Sequence, residues 1–117
     1  MVQGNATGVM CSYNGINGRP LCANDYFLNQ ILRKKWNRPD AHVTTDCGAV
    51  ANLRGPPVYA PDGESASAWA MNNGSDVEMG STFWTRYLVG AVHRNLTTES
   101  TVDAAFRRSY LPHFRAG

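Results

Sequence analysis

The sequence lacks most of the features that would place it in a specialised class of protein. Only three cysteines are present, and their spacings match neither a CxxC pair nor a zinc pattern. No apolar run approaches the ~18 residues that a membrane span requires, and residues 1–5 have neither the basic start nor the apolar stretch of a signal peptide. Internal repeats and low-complexity tracts are absent as well. We therefore expect no metal, no cofactor and no membrane partner.

The chain also has little excess charge of either sign. Eleven Lys and Arg residues stand against nine Asp and Glu residues, which leaves a net charge of +2. The basic residues are spread along the chain except at residues 33–35, and such a balance predicts no nucleic-acid partner. We interpret the basic triplet at 33–35 as the end of a helix, where the helix dipole favours cations.

The length of 117 residues limits the architecture. A chain of this size can bury a modest core and form one domain. A closed eight-stranded α/β barrel needs about 250 residues. If the sequence belongs to such a barrel, it is therefore a part of one.

Glycine, proline and asparagine divide the chain into short segments that alternate between strand and helix patterns. Strand patterns occupy residues 9–13, 41–46 and 75–79, and helical periodicity occupies residues 24–36, 66–73, 84–92 and 98–110. Residues 52–63, with three prolines and two glycines, predict an exposed loop. Proline is expected to end the helices before Pro39 and Pro112. In the last helix, the predicted apolar stripe is Val102, Ala105, Phe106 and Tyr110.

This order of elements is typical of a parallel α/β sheet with right-handed crossovers. We therefore predict an α/β fold with about three parallel strands, crossover helices and terminal helices. Functional side chains of such sheets collect at the C-terminal ends of the strands. Those ends hold Tyr13, Asp46 and Glu78.

Several blocks, in order along the chain, resemble the late barrel region of glycoside hydrolase family 3, which includes β-glucosidases and β-xylosidases. The blocks are GVMCSYN at residues 8–14, VTTDCGAV at 43–50, GSDVEM at 74–79 and VDAA at 102–105. The resemblance covers nearly the whole chain. It implies that residues 1–117 are an incomplete N-terminal (β/α)8 barrel domain, a partial TIM-barrel-like segment, with the remainder of the barrel and a second domain as its missing partners.

The resemblance also implies an activity and a substrate. The parent enzyme would be an extracellular retaining β-glycosidase that takes oligosaccharides or aryl glycosides and needs no cofactor. Xylose and glucose both remain open as the sugar.

Four residues receive roles from the resemblance. Asp46 corresponds to the nucleophile, whose ionised carboxylate attacks the anomeric carbon while an acid about 5 to 5.5 Å away protonates the leaving oxygen. Tyr13 corresponds to a tyrosine that hydrogen-bonds the nucleophile; a buried core tyrosine is the alternative. Cys47 and Met79 fall at positions that would contact the substrate. Cysteine at position 47 is similar to the β-xylosidase branch, whereas Met79 replaces a cysteine that those relatives often carry.

The remaining titratable residues are interpreted as structural. Neither Glu78 nor Glu64 is expected to be the acid that works with Asp46, because in the family that the chain resembles the acid/base glutamate lies on a later domain. Arg107 and Arg108 predict a solvated face or a salt bridge. The three histidines, which fit no triad or metal spacing, are His42, His93 and His113.

Two kinds of covalent modification are consistent with the sequence. In an oxidising compartment, Cys11 and Cys22 could pair across the glycine-rich loop and constrain it by about 3 kcal/mol. Asn5, Asn73 and Asn95 each begin a formal acceptor triplet for N-glycosylation. Triplets of this kind also recur by chance.

Three functional hypotheses follow. The leading one is a nucleophile-bearing portion of a family 3 glycosidase that is inactive alone, because losing general acid catalysis costs typically 10²- to 10⁴-fold. The second is a truncated, non-catalytic remnant that serves as a binding or interaction module. The third is a small independent α/β domain, which a cooperative unfolding transition would favour.

Overall fold

A parallel pair of strands forms the centre of the molecule. The computed structural model describes residues 3–58 and 60–117. In it, β1 (Gly8–Cys11) pairs in parallel with β4 (His42–Thr45), and Gly8 lies opposite His42. Parallel neighbours require a crossover connection. The predicted strand, helix, strand order is therefore confirmed.

The crossover contains a short hairpin, a turn and a helix. The hairpin pairs β2 (Gly15–Ile16) with β3 (Arg19–Pro20) in antiparallel fashion. A 3₁₀ turn at Leu21–Ala23 leads into the helix at Tyr26–Lys35. The side-chain Oδ1 of Asn24 accepts from the Phe27 amide at 3.4 Å, as expected of a capping residue.

The crossover helix has π-type hydrogen bonding along its length. At its C-terminal end the Trp36 amide donates to the Ile31 carbonyl at 2.9 Å, five residues back. Helices of this type are rare and usually confined to one turn. Its bounds nevertheless fall within the segment that the apolar spacing predicts.

The third predicted strand is present only as one bridge. Residues 75–79 run parallel to β4, with Thr44 opposite Val77. The Val43 amide, which a regular ladder would use as a donor, instead donates to Oδ2 of Asp76 at 2.8 Å. Three parallel segments are thus confirmed, but the short strand predicted at 75–79 is reduced to a single bridge because a side chain interrupts the ladder.

The segment predicted as an exposed loop is partly buried. A 3₁₀ turn at Ala51–Arg54 places Leu53 in the core with 1% of its surface exposed, and Ala60 is 4% exposed. The prediction of an exposed loop over residues 52–63 is therefore wrong at these apolar positions, because burying them removes hydrocarbon surface from water. The part of the prediction that falls on Tyr59 lies outside the described residues.

Three α-helices complete the described chain. These are α1 (Gly63–Asn72), α2 (Phe83–His93) and α3 (Glu99–Ala116). Asp62 caps α1 by accepting from the Ser65 amide at 2.7 Å. Gly74, just beyond α1, has a φ of +111°, the left-handed conformation expected after a helix C-terminus.

Helix α3 differs from its predicted form in two respects. It continues through Pro112 to Ala116: Pro112 lacks an amide donor and crowds the carbonyl four residues back, but the residues after it keep their own amide donors. The predicted stripe is also only partly buried: Ala105 is 1% exposed, whereas Phe106 is 58% and Tyr110 is 49% exposed. One face of α3 therefore carries aromatic rings at the surface.

Two apolar clusters hold these elements together. One lies between α1, α2 and the turn before them, and its buried members are Ala23, Val50, Leu53, Ala60, Ala66, Ala70, Met71, Trp84 and Ala105. The other lies beneath the strands and comprises Cys11, Cys22, Leu28, Leu32, Ala41, Val43 and Ala49. Across the residues that the structure describes, none of the helices is both long enough and apolar enough for a membrane span.

Candidate active site

The four residues predicted for the site lie at one edge of the sheet, where the parallel segments end. Asp46 follows the last residue of β4, and its amide donates to the Cys11 carbonyl at the end of β1 at 3.1 Å. On the other side, the Gly48 amide donates to the Met79 carbonyl at 3.0 Å. These bonds draw the ends of all three segments together.

The Asp46 carboxylate is half-buried and is oriented by its own turn. Its Oδ1 accepts from the Cys47 amide at 2.7 Å, and its carbonyl accepts from the Ala49 amide at 3.1 Å. Gly48, with a φ of +72°, supplies the left-handed residue in this turn. The result is a carboxylate held at the mouth of the sheet and reachable from solvent.

Tyr13 lies beside this turn. Its hydroxyl donates to the Cys47 carbonyl at 2.6 Å, and its side chain is 52% exposed, which does not fit the alternative of a core tyrosine. Partial desolvation raises the pKa of the Tyr13 phenol, and so do its hydrogen-bonding and charge interactions with Asp46. Tyr13 therefore keeps its proton at neutral pH and acts as a hydrogen-bond donor.

Cys47 and Met79 form the outer surface of the same edge. Cys47 carries a free, exposed thiol, and Met79 is 47% exposed. Gly80, with a φ of +70°, lies against Cys47, and a Cβ there would stand 2.6 Å from Sγ. The glycine allows the third segment to close on the turn that carries Asp46.

The two other glutamates considered as partners for Asp46 are occupied in the fold. Glu78 accepts from the Trp84 amide at 2.8 Å through Oε2 and from the Ser81 hydroxyl, which fixes the start of α2. Glu64 pairs with Arg94, a side chain that also contacts Asp62 at 2.9 Å. The amide of Ser65 and then Arg94 lower the pKa of Asp62 to about 2. Glu78 and Glu64 therefore serve the start of helix α2 and the surface of α1, respectively.

A buried ionic cluster behind the strands is absent from the sequence predictions. Asp76 contacts Arg33 at 2.6 Å through Oδ2 and Arg108 at 2.8 Å through Oδ1. Arg33 lies in the last turn of the crossover helix, as predicted, and its side chain is 8% exposed. Burial lowers the pKa of Arg33, while the charge of Asp76 opposes that shift. The salt bridge predicted as one role for Arg108 is confirmed. The sequence signal for the cluster was Asp76, an acidic residue within an otherwise strand-like run.

The two cysteines of the apolar cluster beneath the strands form a disulfide. Cys11 and Cys22 form a disulfide with a Cα–Cα distance of 5.2 Å, as their spacing suggested. The bridge ties the end of β1 to the turn before the crossover helix. Over residues 3–58 and 60–117, no group of three or more His, Cys, Asp or Glu residues is placed to hold a metal ion.

Parallel strands with polar side chains gathered at their carboxyl edge are typical of α/β enzymes, both barrels and open sheets. Comparison with known proteins agrees. The family model described as glycosyl hydrolase family 3 N terminal domain matches residues 1–110. The chain therefore belongs to glycosyl hydrolase family 3, a family of glycosidases.

Similar sequences are exo-β-xylosidases of fungi. The chain is 41% identical over 104 residues to the probable exo-1,4-beta-xylosidase xlnD of Neosartorya fischeri, with 87% of this chain and 13% of that protein covered. It is 42% identical over 103 residues to the exo-1,4-beta-xylosidase bxlB of Emericella nidulans, covering 86% of this chain and 13% of the relative. The chain thus spans about 13% of the length of the curated relatives it matches.

Solved structures of the family share the fold. A GH3 exo-beta-xylosidase (XlnD), in complex with a xylobiose aziridine activity-based probe, matches with a TM-score of 0.83 at 36% identity, over 90% of this chain and 14% of that one. A beta-glucosidase from Listeria innocua matches with a TM-score of 0.83 at 28% identity, over 92% of this chain and 14% of that one. Both matches show that the described helices and strands are arranged as in part of a family 3 enzyme.

Proposed function

We propose that this chain is part of the N-terminal barrel domain of a retaining β-glycosidase and that Asp46 is its nucleophile. The observation that supports this is the position of the Asp46 carboxylate, half-buried at the carboxyl edge of the sheet and oriented by the Cys47 amide. Substrates of barrel enzymes bind at that edge. The enzyme would release terminal β-linked sugars from oligosaccharides or aryl glycosides.

The chemistry proceeds in two displacements. An oxygen of the Asp46 carboxylate attacks the anomeric carbon, and the bond to the leaving oxygen breaks as a carboxylic acid elsewhere in the parent enzyme protonates it. Water then attacks the same carbon of the glycosyl ester. The bond to Asp46 breaks, and one proton of the water passes to the conjugate base of the acid. Because each of the two displacements inverts the anomeric carbon, the anomeric configuration is retained.

The neighbours of Asp46 suit this role. Tyr13 donates its hydroxyl hydrogen beside the carboxylate, and its raised pKa keeps that hydrogen in place at neutral pH. Cys47 and Met79, exposed at the same edge, would line the sugar site. Within the residues that the structure describes, Glu78 and Glu64 are engaged elsewhere, so the acid would come from another part of the parent enzyme.

The substrate class follows the relatives named above. The similarity to exo-β-xylosidases, at about 41% identity, favours β-xylosides as the substrates. The similarity to the Listeria innocua β-glucosidase makes β-glucosides the second candidate class. We further propose that the parent enzyme is secreted. The Cys11–Cys22 disulfide supports this, since disulfides persist mainly in oxidising compartments.

A chimaera tests the assignment of Asp46. The corresponding segment of the Neosartorya fischeri relative is replaced by this chain, and hydrolysis of an aryl β-xyloside and an aryl β-glucoside is measured. We expect activity in the chimaera and a loss of about 10⁴-fold or more for Asp46→Ala, the order seen when a covalent nucleophile is removed. Asp103→Ala, which changes an exposed carboxylate on α3, is the matched control and should leave the rate unchanged.

Azide distinguishes loss of the nucleophile from loss of the fold. Azide entering the space vacated by Asp46→Ala attacks in a single displacement and gives the α-glycosyl azide. A β-glycosyl azide, or an Asp46→Ala chimaera as active as its parent, would overturn the assignment. The isolated 117-residue chain should not hydrolyse either substrate; turnover by it that Asp46→Ala abolishes would contradict the proposed need for an external acid.

A further inference from the structure

We infer that Asn95 is a site of N-linked glycosylation and that Asn73, which has the same acceptor pattern, is not. The inference rests on the proposed passage of the protein through an oxidising secretory compartment. Asn-x-Ser/Thr is the pattern for attachment of a bulky, solubilising glycan, which the folded protein must carry at its surface. The structure separates the acceptor asparagines by what their side chains contact.

Asn95 lies in the turn between α2 and α3 and is exposed. Its backbone is fixed at a φ of +57°, and its amide donates to the Val92 carbonyl at 2.9 Å. Its carboxamide makes no hydrogen bond to any residue in the ranges 3–58 and 60–117. The backbone therefore holds the side chain at the surface while Nδ2 stays available to carry a sugar.

Thr97, the third residue of the Asn95 triplet, is buried, and its hydroxyl bonds to a side chain other than that of Asn95. Thr97 is 4% exposed, and its hydroxyl donates to Oδ1 of Asn72 at 2.6 Å. The hydroxyl is used inside the fold, whereas the asparagine two residues earlier points away from it at the surface. A glycan on Asn95 therefore displaces none of these contacts.

Asn73 is in a different environment. Its Nδ2, the atom that would bear the sugar, donates to the Trp69 carbonyl at 2.7 Å in the last turn of α1. Ser75 of the same triplet is buried, as Thr97 is, and donates to the Cys22 carbonyl at 2.7 Å, so the surroundings of the asparagines and not the hydroxyls distinguish the two sites. Gly74 between them is packed so closely that a Cβ would stand 2.8 Å from Arg33 and Leu28. A glycan on Asn73 would disturb the end of α1 and the segment that carries Asp76.

The donor is a lipid-pyrophosphate-linked oligosaccharide that ends in N-acetylglucosamine. Nδ2 of Asn95 forms a bond to the anomeric carbon of that sugar while the bond from this carbon to the pyrophosphate oxygen breaks. The lipid pyrophosphate leaves with the bonding electron pair, and one Nδ2 proton passes to a base of the transferase. No oxidant or reductant is required.

The test expresses the full chain in a yeast host with an added secretory leader, so that its result does not depend on the native route of the protein. Asn5→Gln is present throughout to remove the third acceptor triplet. Glycans are removed from the peptides with a peptide N-glycosidase in heavy-oxygen water, which converts each formerly glycosylated asparagine to an aspartate that carries the heavy oxygen as a mark. We expect the mark at Asn95 and none at Asn73.

Asn95→Asp and Asn73→Asp form a matched pair, since aspartate cannot accept the glycan and also tolerates the left-handed backbone at position 95. Asn95→Asp should remove the single glycan and the corresponding step in gel mobility, and Asn73→Asp should remove nothing. A secreted chain without a mark at Asn95, or one with a mark at Asn73, would overturn the inference.

Discussion

The Arg33 guanidinium and the Asp76 carboxylate meet 2.6 Å apart with 8% and 0% of their side chains exposed. The residues are separated by 43 positions in sequence, and their contact joins the crossover helix to the third parallel segment. Because Asp76 also accepts from the Val43 amide at 2.8 Å, one carboxylate connects a helix, a strand and the segment that follows α1.

Removing this charge should destabilise the fold strongly. Asp76→Asn leaves Arg33 and Arg108 without their anion, and breaking a buried ion pair typically costs about 3 to 5 kcal/mol. We expect a loss of that order in the free energy of unfolding from urea titration of the chain. Asp40→Asn is the matched control: its partner Arg115 is 59% exposed, and exposed pairs contribute about 0 to 1 kcal/mol. Equal losses of unfolding free energy in Asp76→Asn and Asp40→Asn would contradict the claim that burial makes the Asp76 pair the more important one.

The Cys11–Cys22 disulfide should stabilise the folded chain because it reduces the conformational entropy of the unfolded chain. Closing a loop of this length restricts the unfolded chain by about 3 kcal/mol at 25 °C. We expect Cys11→Ala with Cys22→Ala to lower the free energy of unfolding by about that amount, whereas Cys47→Ala at an exposed free thiol changes it by less than about 0.5 kcal/mol. Peptide mapping without reduction provides an independent check. Two free thiols in secreted material would rule out the bridge.

The Tyr13 phenol should titrate above its ordinary value of 10.0, because desolvation and then the interactions with Asp46 raise its pKa. The protonated form is favoured in the fold, so its contribution to stability is present below the unfolded pKa and is lost as the pH rises through the folded pKa. Isotope-labelled tyrosine followed by NMR reports the titration, and Tyr13→Phe identifies the signal among the five tyrosines.

Asp46→Asn tests the source of that shift. It removes the negative charge beside the phenol, so we expect the pKa of Tyr13 to fall toward its ordinary value while the other tyrosine signals stay in place. An unchanged titration of Tyr13 in Asp46→Asn would mean that the two side chains are not coupled. Asp103→Asn, remote from Tyr13 on α3, should leave the signal where it is.

Local features of the structure could be predicted where neighbouring residues decide them. Gly74 adopts the left-handed conformation that the end of a helix favours, and Thr98 caps α3 by accepting from the Thr101 amide at 3.2 Å. Trp84 and Ala91, seven positions apart, are buried on the same face of α2, as their spacing indicates. Each outcome depends on residues within about two helical turns.

The candidate site could be predicted in part for the same reason. The parallel order of the segments requires their carboxyl ends to meet, which places Tyr13, Asp46 and Met79 at one edge. The role of Asp46 in catalysis stays a prediction for the chimaera to test. The bond from Tyr13 to the Cys47 carbonyl could not be predicted, because sequence does not specify which of two adjacent acceptors a phenol reaches.

The sequence by itself determined the order of elements, the family of the chain and the residues at the ends of its parallel segments, because spacing, capping and motif blocks are local or contiguous. Only the tertiary structure decided that Asp76 binds Arg33 and Arg108 in the interior, that Leu53 is buried, and that the aromatic side of α3 is exposed. These outcomes depend on which distant side chains meet. A buried charge is retained only when such a meeting supplies its partner.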